Sequence, residues 1–127
     1  MSPEKQRIKI ALSLGARWYL LGSGWTWLSM KDLLFSSTAW KLVDAPNDIS
    51  KVTIGESVPN HLSDLNACAA MEATLTTDEC WLYNRALDEI LGTAGGIGSG
   101  AIDQWKWHAT APQRCEAFLK CRNLWTP

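Results

Sequence analysis

The chain has 127 residues, 46% hydrophobic and 20% charged, which excludes a wholly disordered or collagen-like polymer. A chain of this length forms one domain, and burying roughly two-thirds of its unfolded surface stabilises it without a metal or a disulfide. Twelve Lys and Arg against thirteen Asp and Glu leave a net charge of −1, which argues against a general nucleic-acid binder.

In chain order, Ser2, Pro3 and Glu4 predict a helix start: a capping hydroxyl, a first-turn proline and an acid near the positive end of the dipole. Ile8, Ala11 and Leu12 recur at helical spacing and Gly15 suits a left-handed end, so helix one spans about 3–14. Period two follows. Trp18 to Leu21 reads as a strand, Gly22-Ser23-Gly24 as a turn, and Trp25 to Leu28 as the returning strand. A further strand is expected around Ala39–Val43, while 29–38 is strand or loop and 44–60 mostly loop.

Helix two is expected to begin between His61 and Ser63, carrying Leu65, Cys68, Ala69, Met71 and Leu75. Thr76 with Glu79 has the form of a capping box opening another helix. Trp81, Leu82, Ala86, Leu87, Ile90 and Leu91 read as its apolar stripe and Gly92 as its end, with Trp81 and Trp125 expected in the core. A flexible glycine-rich stretch, 92–100, leads to an expected strand at 101–107. Thr110 then caps a last helix ending near Arg122, with Leu124 and Trp125 folding back. The order α-β-β-β-α-α-β-α implies an α+β fold: a small, mostly antiparallel sheet of about four strands with helices on it.

The polar N-terminus lacks the apolar core of a secretory signal, and no run of about 18 apolar residues exists to span a membrane. The expected location is the cytosol, where Cys68, Cys80, Cys115 and Cys121 stay reduced and serve as four buried small hydrophobes. A zinc site built from Cys115, Cys121 and His108 or His61 would match no usual finger spacing.

Three stretches resemble a group of small proteins of tailed phages and prophages of proteobacteria. They are Ser2-Pro3-Glu4-Lys5-Gln6-Arg7-Ile8-Lys9-Ile10-Ala11, the block from Trp107 to Lys120 with Leu124-Trp125, and, more weakly, Leu62-Ser63-Asp64-Leu65-Asn66-Ala67, which is similar to a "YLNDLNAM" element. The group is associated with phage domains described as a helix–sheet–helix sandwich. Its members often carry a Gly-Trp pair soon after helix one, whereas here Gly15 is followed by Ala16-Arg17-Trp18. The resemblance implies a phage accessory protein in the cytoplasm of an infected bacterium, where such proteins commonly interfere with host functions, immunity among them. It carries no activity that transfers residue by residue.

The motifs supply no catalytic set. His61 and His108 are the only histidines, and nothing in the spacing aims His108 at Cys115. Asp78-Glu79 and Asp88-Glu89 read as solvated helix faces. The run Gly95-Gly96-Ile97-Gly98-Ser99-Gly100 lies between helix and strand, the reverse of a dinucleotide fingerprint, and no Gly-Lys-Ser/Thr follows it. It reads as a mobile connection or as a lid whose amides, at Gly96 and Gly98, approach a ligand.

The tryptophans carry the functional expectation. Eight occur, against two Tyr and two Phe. Trp25/Trp27 and Trp105/Trp107 form two period-two pairs, with Trp18 on the first strand. A helix over that face makes it core; left open, it is a binding face, since indoles stack on bases and anchor protein interfaces. Arg17, Lys106, Arg114 and Lys120 are candidates to meet phosphates or carboxylates. On the expected 101–107 strand, Lys106 and His108 share the face opposite Trp105 and Trp107, so one face of that strand cannot supply both stack and charge.

The expected function is therefore a non-enzymatic, cofactor-free sponge that sequesters a nucleotide-derived signal of host immunity. The site is expected among Trp18, Trp25, Trp27, Trp105, Trp107, Arg17, Lys106, His108, Gly96 and Gly98, enclosed in a homo-oligomer. A protein-binding inhibitor of a host defence enzyme, or a structural phage protein, is the alternative.

Overall fold

Ser2 opens α1 (Pro3–Ser13): its Oγ accepts from the Lys5 amide at 3.2 Å, and Pro3 fills a first-turn position whose missing N–H needs no partner. A computed structural model describes residues 1–21, 26–35, 40–47, 52–92 and 109–127. The elements after α1 are β1 (Arg17–Leu21), β2 (Thr26–Ser29), a 3₁₀ turn (Leu33–Phe35), β3 (Trp40–Val43), β4 (Val52–Ile54), α2 (Leu65–Glu72), α3 (Thr77–Leu91) and α4 (Ala111–Cys121). The class is α+β, with four helices and a four-stranded, mostly antiparallel sheet among the described residues. The expected turn at Gly22-Ser23-Gly24 and the expected strand at 101–107 lie outside the described residues.

Local chemistry sets the helix ends. Thr76 and Glu79 form the capping box of α3, and Thr110 and Gln113 form a second at α4. Asp64, not His61 or Ser63, starts α2; its carboxylate accepts from the Asn66 amide at 2.9 Å. Gly92 closes α3 at φ +72°, a conformation that costs a residue with a Cβ more than it costs glycine.

The chain divides into two compact units, Ala11–Pro59 and Met1–Ile10 with Asn60–Pro127. The first holds the sheet, ordered β3-β1-β2-β4. β1 pairs antiparallel with β2 and β3, while β4, a three-residue strand from the stretch expected to be mostly loop, pairs parallel with β2. Gly55 just after it explains the close approach. Its amide donates to the Leu28 carbonyl at 2.8 Å, and a Cβ there would stand 2.8 Å from the same oxygen.

In the second unit α4 packs on α3 and α2. Phe118, Leu119, Cys115, Met71 and Leu87 are fully buried, each large side chain contributing roughly 1.5–3 kcal/mol of apolar burial. Lys9 Nζ reaches the Leu124 carbonyl at 2.9 Å, and the Leu124 amide returns to the Leu119 carbonyl at 2.8 Å, so the chain folds back at Leu124. Trp125, expected in the core, is only half-buried, its ring 5.7 Å from the Lys120 ammonium.

Two expectations on α3 are corrected. Trp81 is 77% exposed and Leu82 52%, and Cys80 is exposed, not buried like Cys68, Cys115 and Cys121. The inward stripe is Tyr83, Ala86 and Leu87, spaced i, i+3, i+4. Trp81, two residues before Tyr83, falls on the opposite side of a helix with 3.6 residues per turn.

Candidate binding site

Strand register builds the site. Arg17 stands opposite Ser29, Tyr19 opposite both Trp27 and Leu42, Leu21 opposite Trp40, and Trp27 opposite Thr53. Cross-strand partners share a face and side chains alternate along a strand. Arg17, Tyr19, Trp27, Ser29, Trp40 and Thr53 therefore stand on one face. Trp18, Leu28 and Ile54 stand on the other, where Leu28 is fully buried and Trp18 is 5% exposed.

On the first face the indoles of Trp27 and Trp40 meet across β1 with centroids 5.5 Å apart and planes at 87°. This edge-to-face contact is the arrangement the ring quadrupoles favour. Tyr19, between them on β1, is 2% exposed. The Trp27 Nε1 is buried with no hydrogen-bond partner among the described residues.

Beside the pair lies a cleft of about 360 Å³, within the roughly 300–1,000 Å³ of small-molecule sites. Trp27, Trp40 and Leu33 supply its apolar wall, Ser29 and Ser57 its hydroxyls, and Lys31 and Glu56 its charges. Gly55 lines it too, on the turn in which the Val58 amide donates to the Gly55 carbonyl at 3.0 Å.

The hydroxyls have an assignable pattern. Ser29 Oγ donates to the Lys31 carbonyl at 2.9 Å and accepts from the Lys31 amide at 3.1 Å. The 3.1 Å contact between Ser29 Oγ and Ser57 Oγ is then Ser57 donating, because the Ser29 proton is already committed. Ser57 Oγ also accepts from the Met30 amide at 3.0 Å, which leaves one lone pair for a further donor.

A second hollow, of about 250 Å³, adjoins the first through Ser29. Arg17, Tyr19, Met30 and Asp32 line it, with Gly15. Arg17 and Asp32 are exposed, and Asp32 Oδ1 accepts from the Leu34 amide at 3.0 Å. One sheet face thus offers an aromatic wall, paired hydroxyls and a guanidinium in sequence.

Of the residues expected to bind ligand, the structure brings Trp27 and Arg17 to this face and puts Trp18 on the opposite one. Trp25, Gly96, Gly98, Trp105, Lys106, Trp107 and His108 lie outside the described residues. Sequence reasoning missed Trp40, Ser29, Ser57, Lys31 and Glu56. Period two in the expected strand at 39–43 was the available signal for Trp40. Nothing local announced that residues 55–58 return to Ser29.

A larger hollow, about 680 Å³, runs along the outer face of α3 past Trp81, Leu82, Asn84, Arg85 and Asp88. Its described lining comes from one helix, whereas the smaller cleft joins two strands and two turns and gathers convergent polar groups. Among the described residues no three His, Cys, Asp or Glu side chains gather as metal ligands, and no helix is long and apolar enough to cross a membrane. No protein-family model, curated protein or solved structure matches the chain.

Proposed function

We propose that this chain is a phage accessory protein that binds a nucleotide-derived signal of host immunity in the bacterial cytoplasm and withholds it without altering it. The observation that carries the reading is the sheet register that sets the Trp27–Trp40 pair and Arg17 on one face, with Arg17 opposite Ser29 and Trp27 two residues before Ser29 on the same strand. An aromatic wall takes a flat base, hydroxyls take its edge or a sugar, and a guanidinium takes an anion. The Ser29 hydroxyl, its proton held by a backbone carbonyl, serves as a structural acceptor in this reading and not as a nucleophile. Both hollows open to solvent, so a second copy of the chain closing over them would give the enclosure that tight capture requires.

Native mass spectrometry of the purified chain with cyclic and linear nucleotides tests this. A ligand retained and released unchanged, on an oligomer whose mass gives the subunit count, supports sequestration. A ligand returned cleaved overturns the non-catalytic part. Retention of none of the nucleotides overturns the reading.

One observation favours a second reading, an inhibitor that grips a host enzyme: the outward placement of Trp81 beside Leu82 on α3. Large exposed aromatics are common anchors of protein interfaces. Capture of a single host protein, abolished by Trp81→Ala and indifferent to Trp27→Ala, would favour it.

A further inference from the structure

We infer that the sheet-face site is built for a flat base joined to one singly charged phosphodiester, with the base in the Trp27–Trp40 cleft and the phosphate at Arg17. The inference rests on the binding reading above and specifies its ligand and its orientation. Arg17 is the cross-strand neighbour of Ser29, and Trp27 lies two residues before Ser29 on β2. At about 3.4 Å per residue, the backbone of Trp27 is therefore offset from that of Arg17 by about 7 Å along the strands, and that of Trp40, opposite Leu21, by about twice as much. The nearer offset, at Trp27, matches a base and a phosphate separated by a sugar. Ser29 lines both hollows, and the spare lone pair on Ser57 Oγ can receive a ribose hydroxyl or a base amino group of a molecule that spans them.

Charge selects the kind of phosphate. The two hollows together hold Arg17 and Lys31 against Asp32 and Glu56, so their fixed charges cancel. A triphosphate would bring three or four negative charges against one guanidinium with a carboxylate in the same hollow. A phosphodiester brings one charge, which the fork of Arg17 matches in both number and shape. Among the described residues Arg17 makes no ion pair.

The test is titration calorimetry of the full chain with adenosine, guanosine, their 3′,5′-cyclic monophosphates and their triphosphates. The cyclic monophosphates are expected to bind tightest. Arg17→Ala, an exposed position, is expected to weaken them roughly 10–100-fold, leave the nucleosides unchanged and remove most of the salt dependence. Asp32→Asn is expected to bring triphosphate affinity closer to that of the cyclic monophosphates. Triphosphates binding as tightly as cyclic monophosphates would overturn the inference. So would an Arg17→Ala protein with unchanged affinities; if nucleosides still bind, the aromatic-cleft reading survives that result. Failure of every probe, nucleosides included, overturns both.

Discussion

Arg122 and Glu79 tie the end of α4 to the start of α3: the guanidinium Nε lies 3.0 Å from Glu79 Oε2, while Oε1 of the same carboxylate accepts from the Thr76 amide at 3.0 Å. One side chain both caps a helix and joins two. The Thr76 amide, then the charge of Arg122, hold the Glu79 carboxyl below its ordinary value. A depressed carboxyl pKa contributes stability that is complete above the unfolded value, near 4.3, and is lost as pH falls through the lower folded value. The melting temperature is therefore expected to drop on acidification from about pH 5 to 3. Glu79→Gln is expected to melt lower at neutral pH and to lose less on acidification. Parallel Tm–pH curves for the two proteins would remove Glu79 from the account.

Glu72 organises the other side of the helical unit. It accepts from the Tyr83 hydroxyl at 2.8 Å and from Arg114 Nη1 at 3.1 Å, and Arg114 Nε donates to the Ala109 carbonyl at 3.0 Å. Burial, with the neighbouring carboxylate, pushes the Tyr83 hydroxyl well above its usual pKa, so it stays a donor at any working pH. Tyr83→Phe is expected to cost about 1–2 kcal/mol and Arg114→Ala about 2–3 kcal/mol, because the latter strands a half-buried carboxylate. Arg114→Lys should recover only part, since the single nitrogen of an ammonium does not reproduce the two nitrogens, Nε and Nη1, that reach Ala109 and Glu72 separately. Urea unfolding of the three variants gives the ranking; an Arg114→Lys protein as stable as the parent would refute the forked geometry.

The distribution of legible and illegible features follows the range of the forces. Thr76 with Glu79, Thr110, Ser2 and Gly92 declare helix ends because capping acts within four residues. Trp18 to Leu28 declares a hairpin because period two acts between neighbours. The parallel pairing of β4 with β2 was not legible: residues 52–54 join a strand more than twenty positions back, and three residues show no periodicity. The same return brings Ser57 to Ser29 and Glu56 to the aromatic pair, so the cleft was hidden along with it. Trp81 was misplaced for another reason. Leu82, Ala86 and Leu87 made a plausible stripe, and the polar hydroxyl of Tyr83 disguised the inward position beside it.

The cysteines separate by depth. Cys80 is exposed, while Cys68 and Cys115 are fully buried and Cys121 nearly so. Burial pushes the Cys121 thiol up to about 11. A hydrogen bond with Cys68, then burial, raises Cys115; that same bond lowers Cys68, whose Sγ donates to the His61 carbonyl at 3.1 Å. With iodoacetamide at pH 8, one thiol per chain, at Cys80, is expected to react promptly and the other three only after denaturation. Prompt labelling of Cys68 would place that thiol within reach of solvent and overturn this packing.

Gly55 couples the fold to the cleft, and its substitution tests both. A methyl at this position would stand 2.8 Å from the Leu28 carbonyl, a backbone atom that cannot swing aside, on the strand pair whose own hydrogen bond, Gly55 amide to Leu28 carbonyl, is 2.8 Å long. Relief requires the 55–58 turn to move away from β2. Ser57 rides on that turn and Ser29 on β2, so the hydroxyl contact between them should lengthen with it. Gly55→Ala is expected to cost about 1–3 kcal/mol in denaturant unfolding, as overpacked sites do. It should also weaken ligands held in the Trp27–Trp40 cleft. By contrast, Trp81→Ala, with as large a side chain removed from an exposed position, is expected to stay within about 0.5 kcal/mol of the parent. The reverse order of effects would mean that the outer face of α3, and not the β2–β4 pairing, bears on stability.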